Sequence, residues 1–261
     1  MAPSVSGAAQ AARNISPNED PRNSLYQSLA QDLAGFSEHK IRTQFVIKVL
    51  SILSCMLMIT TSVVSIITVS KSTQLFLLEN WWLSLVAGIL LFSVSIILGC
   101  SEKLRKSFPL NYALLLALTL TQSILLCYVV AAYETNSVFV GIFITCIVTG
   151  AVATLSASTT YDLTQLESHL VVAVAVLAVV QLGAFVFVPS LRKIDTVFGG
   201  VAAMVFCLYI ALDIHLLLGN QHNQLYPEDY IGAVITLYID VINLFISLLH
   251  QFGKRKESNA S

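Results

Sequence analysis

The sequence predicts an all-α integral membrane protein built as a bundle of seven transmembrane helices. Three observations carry that prediction. First, 56% of the 261 residues are hydrophobic and only 11% are charged, where soluble domains average about 25% charged. So much apolar surface cannot be hidden in one aqueous core. Second, seven runs approach or exceed the ~20 apolar residues a helix needs to cross a bilayer: about 44–70, 81–99, 110–132, 137–157, 169–188, 197–218 and 228–251. Third, the breaks between them are short and polar, so consecutive helices must be antiparallel neighbours.

Taken in order, residues 1–40 are polar and partly disordered, with a short surface helix expected over 26–40. No apolar core of a secretory signal lies near the start, so the first span acts as its own insertion signal. The transmembrane domain covers 41–253. "KSTQLFLLEN" (71–80), "SEKLRKSFP" (101–109), "ETNS" (134–137), "TTYDLTQLES" (159–168), "PSLRKIDT" (189–196) and "GNQHNQLYPEDY" (219–230) separate the runs. Gly219 suits the end of the sixth helix. Pro227, Glu228 and Asp229 suit the first turn of the seventh, where proline is tolerated and acids meet the positive dipole end. Residues 254–261 form a short basic polar tail. Arg13, Arg22, Lys40 and Arg42 before the first span, with Lys103, Arg105 and Lys106 after the second, favour a cytosolic N-terminus. Arg192, Lys193 and Lys254–Lys256 pull the other way, because seven crossings leave the tail on the opposite side.

Net charge is −1, which offers no basic field for nucleic acid. The five cysteines, Cys55, Cys100, Cys127, Cys146 and Cys207, lie in or beside apolar runs without metal-type spacing. They read as small packing residues. No repeat or nucleotide-binding loop is present, and no cofactor is expected. A seven-helix receptor fits the span count, but the loops are short and lack a cysteine pair to pin them.

Polar groups inside the spans carry the functional information. Lys48 lies near the start of the first run, where its ammonium can snorkel to headgroups. Asp213 and Asp240 cannot snorkel, and a central charge costs ~2.5–3.5 kcal/mol on insertion scales. Thr236, Asp240, Asn243, Ser247 and His250 recur at spacings of 4, 3, 4 and 3, which predicts one polar stripe facing protein or water. Leu237, Val241, Leu244, Phe245 and Leu248 cover the other directions. The bland reading of such a stripe is interhelical hydrogen-bond glue. Asp213 sits about six residues before the end of the sixth span and Asp240 about a dozen into the seventh. Their depths differ by ~7–9 Å at 1.5 Å per residue, a gap that tilt or an uneven turn must close. If they meet in a low-dielectric site, both cannot readily ionise and one proton is shared. A protonated pair holds the helices together, whereas an ionised pair repels or recruits a cation. Hard Ca²⁺ prefers such oxygen ligands.

Four blocks resemble the transmembrane Bax inhibitor motif proteins, the Bax inhibitor and Lifeguard family. They are "FVIKVLSIL" (45–53), "CSEKLRKSFPLNYALL" (100–115), "STTYDLT" (158–164), and "LYIALDIHLLLG" (208–219) followed by "YPEDYIGAVITLYIDVINLFISLLHQFG" (226–253). The resemblance implies six helices around a central C-terminal seventh. It also implies a calcium leak channel of intracellular membranes, in the endoplasmic reticulum or Golgi, that suppresses cell death. Its di-aspartate pH latch matches Asp213 and Asp240, and Arg105, with Lys106 next, matches the base that engages the latch in some members. Thr236, Asn243, Ser247 and His215 are the supporting polar set. The expected partners are the bilayer, Ca²⁺ as transported ion, and death-regulating or calcium-channel membrane proteins. This sequence departs from the family at the sixth-span acid, where Leu212-Asp213-Ile214-His215 replaces Tyr-Asp-Thr-Gln, and at Ile47 and Thr160, where basic residues are usual. A non-conducting adaptor that works through its loops and tail is the alternative. An intramembrane aspartyl protease would need Gly-x-Gly-Asp and Pro-Ala-Leu motifs, whereas the acids here lie in "IALD" and "LYID".

Overall fold

The computed structural model describes residues 21–158, 163–187, 192–218 and 230–256. The predicted caps at Gly219 and Pro227–Asp229, and the disorder expected before Pro21, lie outside the described residues. The chain divides into two units, through Phe45 and from Val46 onward. The first is helical from Pro21, earlier than the expected start at 26. The functional argument concerns the second.

The long helices are α1 (Pro21–Val69), α3 (Trp82–Cys100), α5 (Leu110–Ala131), α6 (Thr135–Ser158), α7 (Glu167–Phe187), α8 (Arg192–Leu218) and α9 (Tyr230–Phe252). Six stretches of described helix are long and apolar enough to cross a membrane, namely Arg42–Val69, Trp82–Cys100, Leu110–Ala131, Thr135–Ser158, Thr196–Leu218 and Tyr230–Phe252. In α7 the apolar stretch among fully described residues is Glu167–Leu177. Large side chains such as Phe92, Phe143, Met204 and Val179 are exposed on these helices, which suits a hydrocarbon solvent.

Two of the expected breaks are themselves helical: α2 (Lys71–Glu79) and α4 (Glu102–Lys106). The Ser70 side chain caps α2 by accepting from the Thr73 amide at 3.4 Å. Buried Gln74 then reaches back to donate to the Thr68 and Ile67 carbonyls, at 2.5 Å and 3.3 Å. Those carbonyls lie in the last turn of α1, where a helix runs out of backbone partners, and the Thr68 carbonyl also accepts from the Thr135 hydroxyl at 3.3 Å.

Helix α9 stands apart in burial. In its span window 67% of residues are buried, against at most 39% in any other. Its two ends are tied to different sets of residues. At its start, Tyr230 meets Lys48 and Asn111. Past its end, the chain is strapped to the junction between α5 and α6. Glu134 donates its amide to the Lys254 carbonyl at 2.9 Å, and Lys256 donates its own to Ala132 at 2.9 Å. The Lys256 ammonium donates to Gln74 and, at 3.0 Å, to the Ala131 carbonyl. Burial first, and then the charge of Lys71, pulls this ammonium below its ordinary lysine value. The basic tail is therefore docked as far as Lys256.

Candidate functional site

Helix α8 carries Asp213 just over a turn before its end, and α9 carries Asp240 ten residues after its start. The structure brings them together. Asp213 and Asp240 lie near enough for each carboxyl to act on the other, and Asp213 faces Thr236. Two carboxylates are both acceptors, so a bond between them requires one proton. The depth gap closes because α9 starts beyond the end of α8. Five extra residues at 1.5 Å each give an overshoot of about 7.5 Å. Asp240 is buried and Asp213 half-buried, and Asp213 Oδ2 has no hydrogen-bond partner among the described residues. Glu167, in the first turn of α7, and Tyr209, one turn before Asp213, feel the field of the pair. The sequence reading missed Glu167, whose signal is an acid opening a helix directly after a polar break.

The polar stripe is unevenly buried. Ser247 is buried, Asn243 and His250 are half-buried, and Thr236 is exposed, its hydroxyl 3.2 Å from the Ala233 carbonyl. Leu237, Val241, Leu244, Phe245 and Leu248 are as buried as the stripe. The stripe therefore does not mark the one buried face of α9, because that helix is covered on nearly all sides. It marks the seam toward α7 and α8. Asn243, Ser247 and His250 line a cavity of about 150 Å³ there with Val174, Gly199 and Phe206. His215 is buried near the end of α8.

The predicted bases lie at the end where α9 begins. Arg105 Nη1 donates to the Leu98 and Gly99 carbonyls, at 3.0 Å and 3.3 Å, and so caps the last turn of α3. Asn111 Nδ2 bridges the Arg105 carbonyl and the Tyr230 hydroxyl, both at 3.2 Å. Lys48 places its ammonium 3.4 Å from the centroid of the Tyr230 ring, a cation–π contact rather than simple snorkelling. Lys106 is exposed. Tyr230 and Asp240 are ten residues, or about 15 Å, apart along α9. Arg105 is thus joined through Asn111 to the first residue of the helix that bears Asp240.

A second polar cluster escaped the sequence reading. The Tyr238 and Thr60 hydroxyls are 2.8 Å apart, and Ser123 Oγ lies 3.2 Å from Thr60 Oγ1. All three side chains are buried, and they join α9 to α1 and α5.

Among the described residues no group of three or more His, Cys, Asp or Glu is placed to hold a metal ion. Ca²⁺ takes six to eight oxygens. The two carboxyls can contribute at most part of such a shell, with water and backbone supplying the rest.

The sequence pattern described as inhibitor of apoptosis-promoting Bax1 matches residues 42–257. Protein lifeguard 3 of Homo sapiens is 28% identical over 222 residues, covering 84% of this chain and 71% of that protein. The Golgi anti-apoptotic protein of Vaccinia virus (strain Lister) is 31% identical over 218 residues, covering 83% of this chain and 87% of that one. With a family match across all the described spans, and acids where the resemblance expected them, the chain belongs to the Bax inhibitor and Lifeguard family.

Proposed function

We propose that this protein is a pH-sensitive calcium leak channel of an intracellular membrane, in the endoplasmic reticulum or Golgi, that restrains cell death. The reading is supported by the nearness of Asp213 and Asp240, each acting on the other from two adjacent apolar helices. With one proton the pair bonds and holds α8 to α9. Without it, two nearby charges in a poor solvent repel, and the helices part. Flux then rises with pH, and the parted carboxylates offer oxygens to Ca²⁺ as the transported ion. In this reading α7 is the seventh crossing and α9 the central helix, supported by the burial of α9 and by the strap at its end. Arg105, with Lys106 beside it, couples the start of α9 to the end of α3. The membrane assignment and the restraint of death draw support from the viral relative, whose name is Golgi anti-apoptotic protein. The chemistry proposed is transport, not catalysis.

A second reading has its own support. The relatives' names speak of death and not of transport, which suits a non-conducting regulator that binds death-signalling or calcium-channel proteins in the bilayer. Ca²⁺ flux in vesicles reconstituted with wild type, Asp213→Asn and Asp240→Asn separates the two. The channel reading expects each variant to lose its pH response, because an amide cannot ionise. Unchanged flux and pH response in both would leave the regulator as the better account.

A further inference from the structure

We propose that Tyr238 is a positioning residue for the acid pair: its hydroxyl, held by Thr60 and Ser123, fixes α9 against α1 and α5. This sets how readily Asp240 parts from Asp213. The proposal rests on the reading that parting of the pair opens the pathway.

The cluster is closed in its proton accounting. Thr60 donates to the Met56 carbonyl at 3.0 Å, and Ser123 donates to the Thr119 carbonyl at 2.6 Å. That leaves the Tyr238 hydroxyl to donate to Thr60 across 2.8 Å. Each of three protons has one acceptor, and all three side chains are at most 2% exposed. The Tyr238–Thr60 bond joins residues 178 apart in sequence, with Ser123 Oγ packed 3.2 Å from Thr60 Oγ1, so it holds tertiary position and not local helix.

Tyr238 and Asp240 are two residues apart, which at 3.6 residues per turn sets them about 200° apart around α9. The helix is therefore gripped on opposite sides, by α8 through the carboxyls and by α1 and α5 through the hydroxyls. It cannot retreat from α8 without disturbing the second grip. Beside that grip lies a cavity of about 330 Å³, lined in part by Thr60, Val64, Thr145, Val241 and Phe245 from α1, α6 and α9. The cavity is room into which α9 can shift once the hydroxyls release it. Glu167 of α7 and Tyr209 of α8 face the pair, with His215, two residues past Asp213, buried on another side of α8. Toward Tyr238, α1 and α5 present hydroxyls. The grip itself carries no charge and acts only as a bias.

The test is Ca²⁺ flux against pH in reconstituted vesicles. Losing one neutral hydrogen bond favours the parted state about fivefold. Tyr238→Phe, which keeps the ring, is then expected to reach half-maximal flux roughly 0.7 pH unit lower. Thr60→Val is expected to do the same, and the double variant to shift no further than either single one. A folded Tyr238→Phe with the wild-type midpoint overturns the proposal. If that variant does not fold, Thr60→Val carries the same expectation and the same refutation. Asp240→Asn, measured alongside, tests the gate separately. If it keeps the wild-type pH profile, the gate reading falls. The positioning role is then decided by spin labels at exposed Met204 and Phe252 in a cysteine-free background. Tyr238→Phe must broaden their distance distribution, and an unchanged distribution overturns the role.

Discussion

The packing of α8 on α9 makes Gly199 an exacting position. A Cβ built there would lie 2.9 Å from the Ser247 carbonyl oxygen, 3.0 Å from the Gln251 nitrogen and 3.1 Å from His250 Cβ. Two of the three atoms belong to the backbone of α9, which has no rotamer by which to yield. Gly199→Ala must therefore push the helices apart by several tenths of an ångström. Overpacking of this kind costs about 1–3 kcal/mol. Replacing a helical glycine also returns about 1 kcal/mol through propensity, which would mask part of the loss. Gly150→Ala supplies the reference, because nothing lies within 4 Å of its added Cβ. The propensity gain is common to both and cancels, leaving the packing cost as the difference. Gly200→Ala should fall between them, since its neighbours are atoms of the flexible Gln251 side chain at 3.2 Å and beyond. Equilibrium unfolding in mixed micelles titrated with SDS gives the comparison. Equal stability of the Gly199 and Gly150 variants would mean that α8 and α9 do not approach as closely as described.

The remaining expectations concern the strap and the thiols. Lys256→Met removes the ammonium that donates to Gln74 and Ala131, and at about 1 kcal/mol per bond it should destabilise the protein by about 1–2 kcal/mol in the same titration. Protease sensitivity of the tail should rise in step, and an unchanged digestion pattern would show that the strap does not depend on this side chain. Cys100, exposed at the end of α3, is expected to react with a maleimide in the folded protein, whereas the wholly buried Cys127 should react only after unfolding. Equal rates at both would contradict the core packing of α5.

The spans were legible because hydropathy belongs to long runs, and errors of a few residues leave a run intact. The helices inside two linkers were not, since α4 has only five residues and α2 rests on one serine cap. Asp213 and Asp240 stood out as unpaired carboxyls in apolar helices, but their meeting depended on how far α9 extends past α8, which no spacing within either helix fixes. The stripe told less than the whole of α9's packing: a polar periodicity identifies a single buried face only when the opposite face meets lipid, and most of α9 is buried on its other sides too. Tyr238, Thr60 and Ser123 left no pattern at all. Hydroxyls on membrane helices usually return to the carbonyl one turn back, as Thr121 and Thr145 do at 2.8 Å and 2.7 Å. Nothing local marks the few that also reach another helix.

The most buried of the described helices is also the last of them in chain order. During synthesis the earlier helices must enter the bilayer and wait, with the surfaces meant for α9 facing one another or lipid. A ribosome that stopped before residue 230 would release the earlier helices without their most buried neighbour, leaving Thr60 without the Tyr238 hydroxyl. Such a product carries polar groups that a membrane chaperone or protease can recognise. The strap at residues 254–256 then acts as a mark of completion, since it can form only after the whole of α9 has been translated and seated.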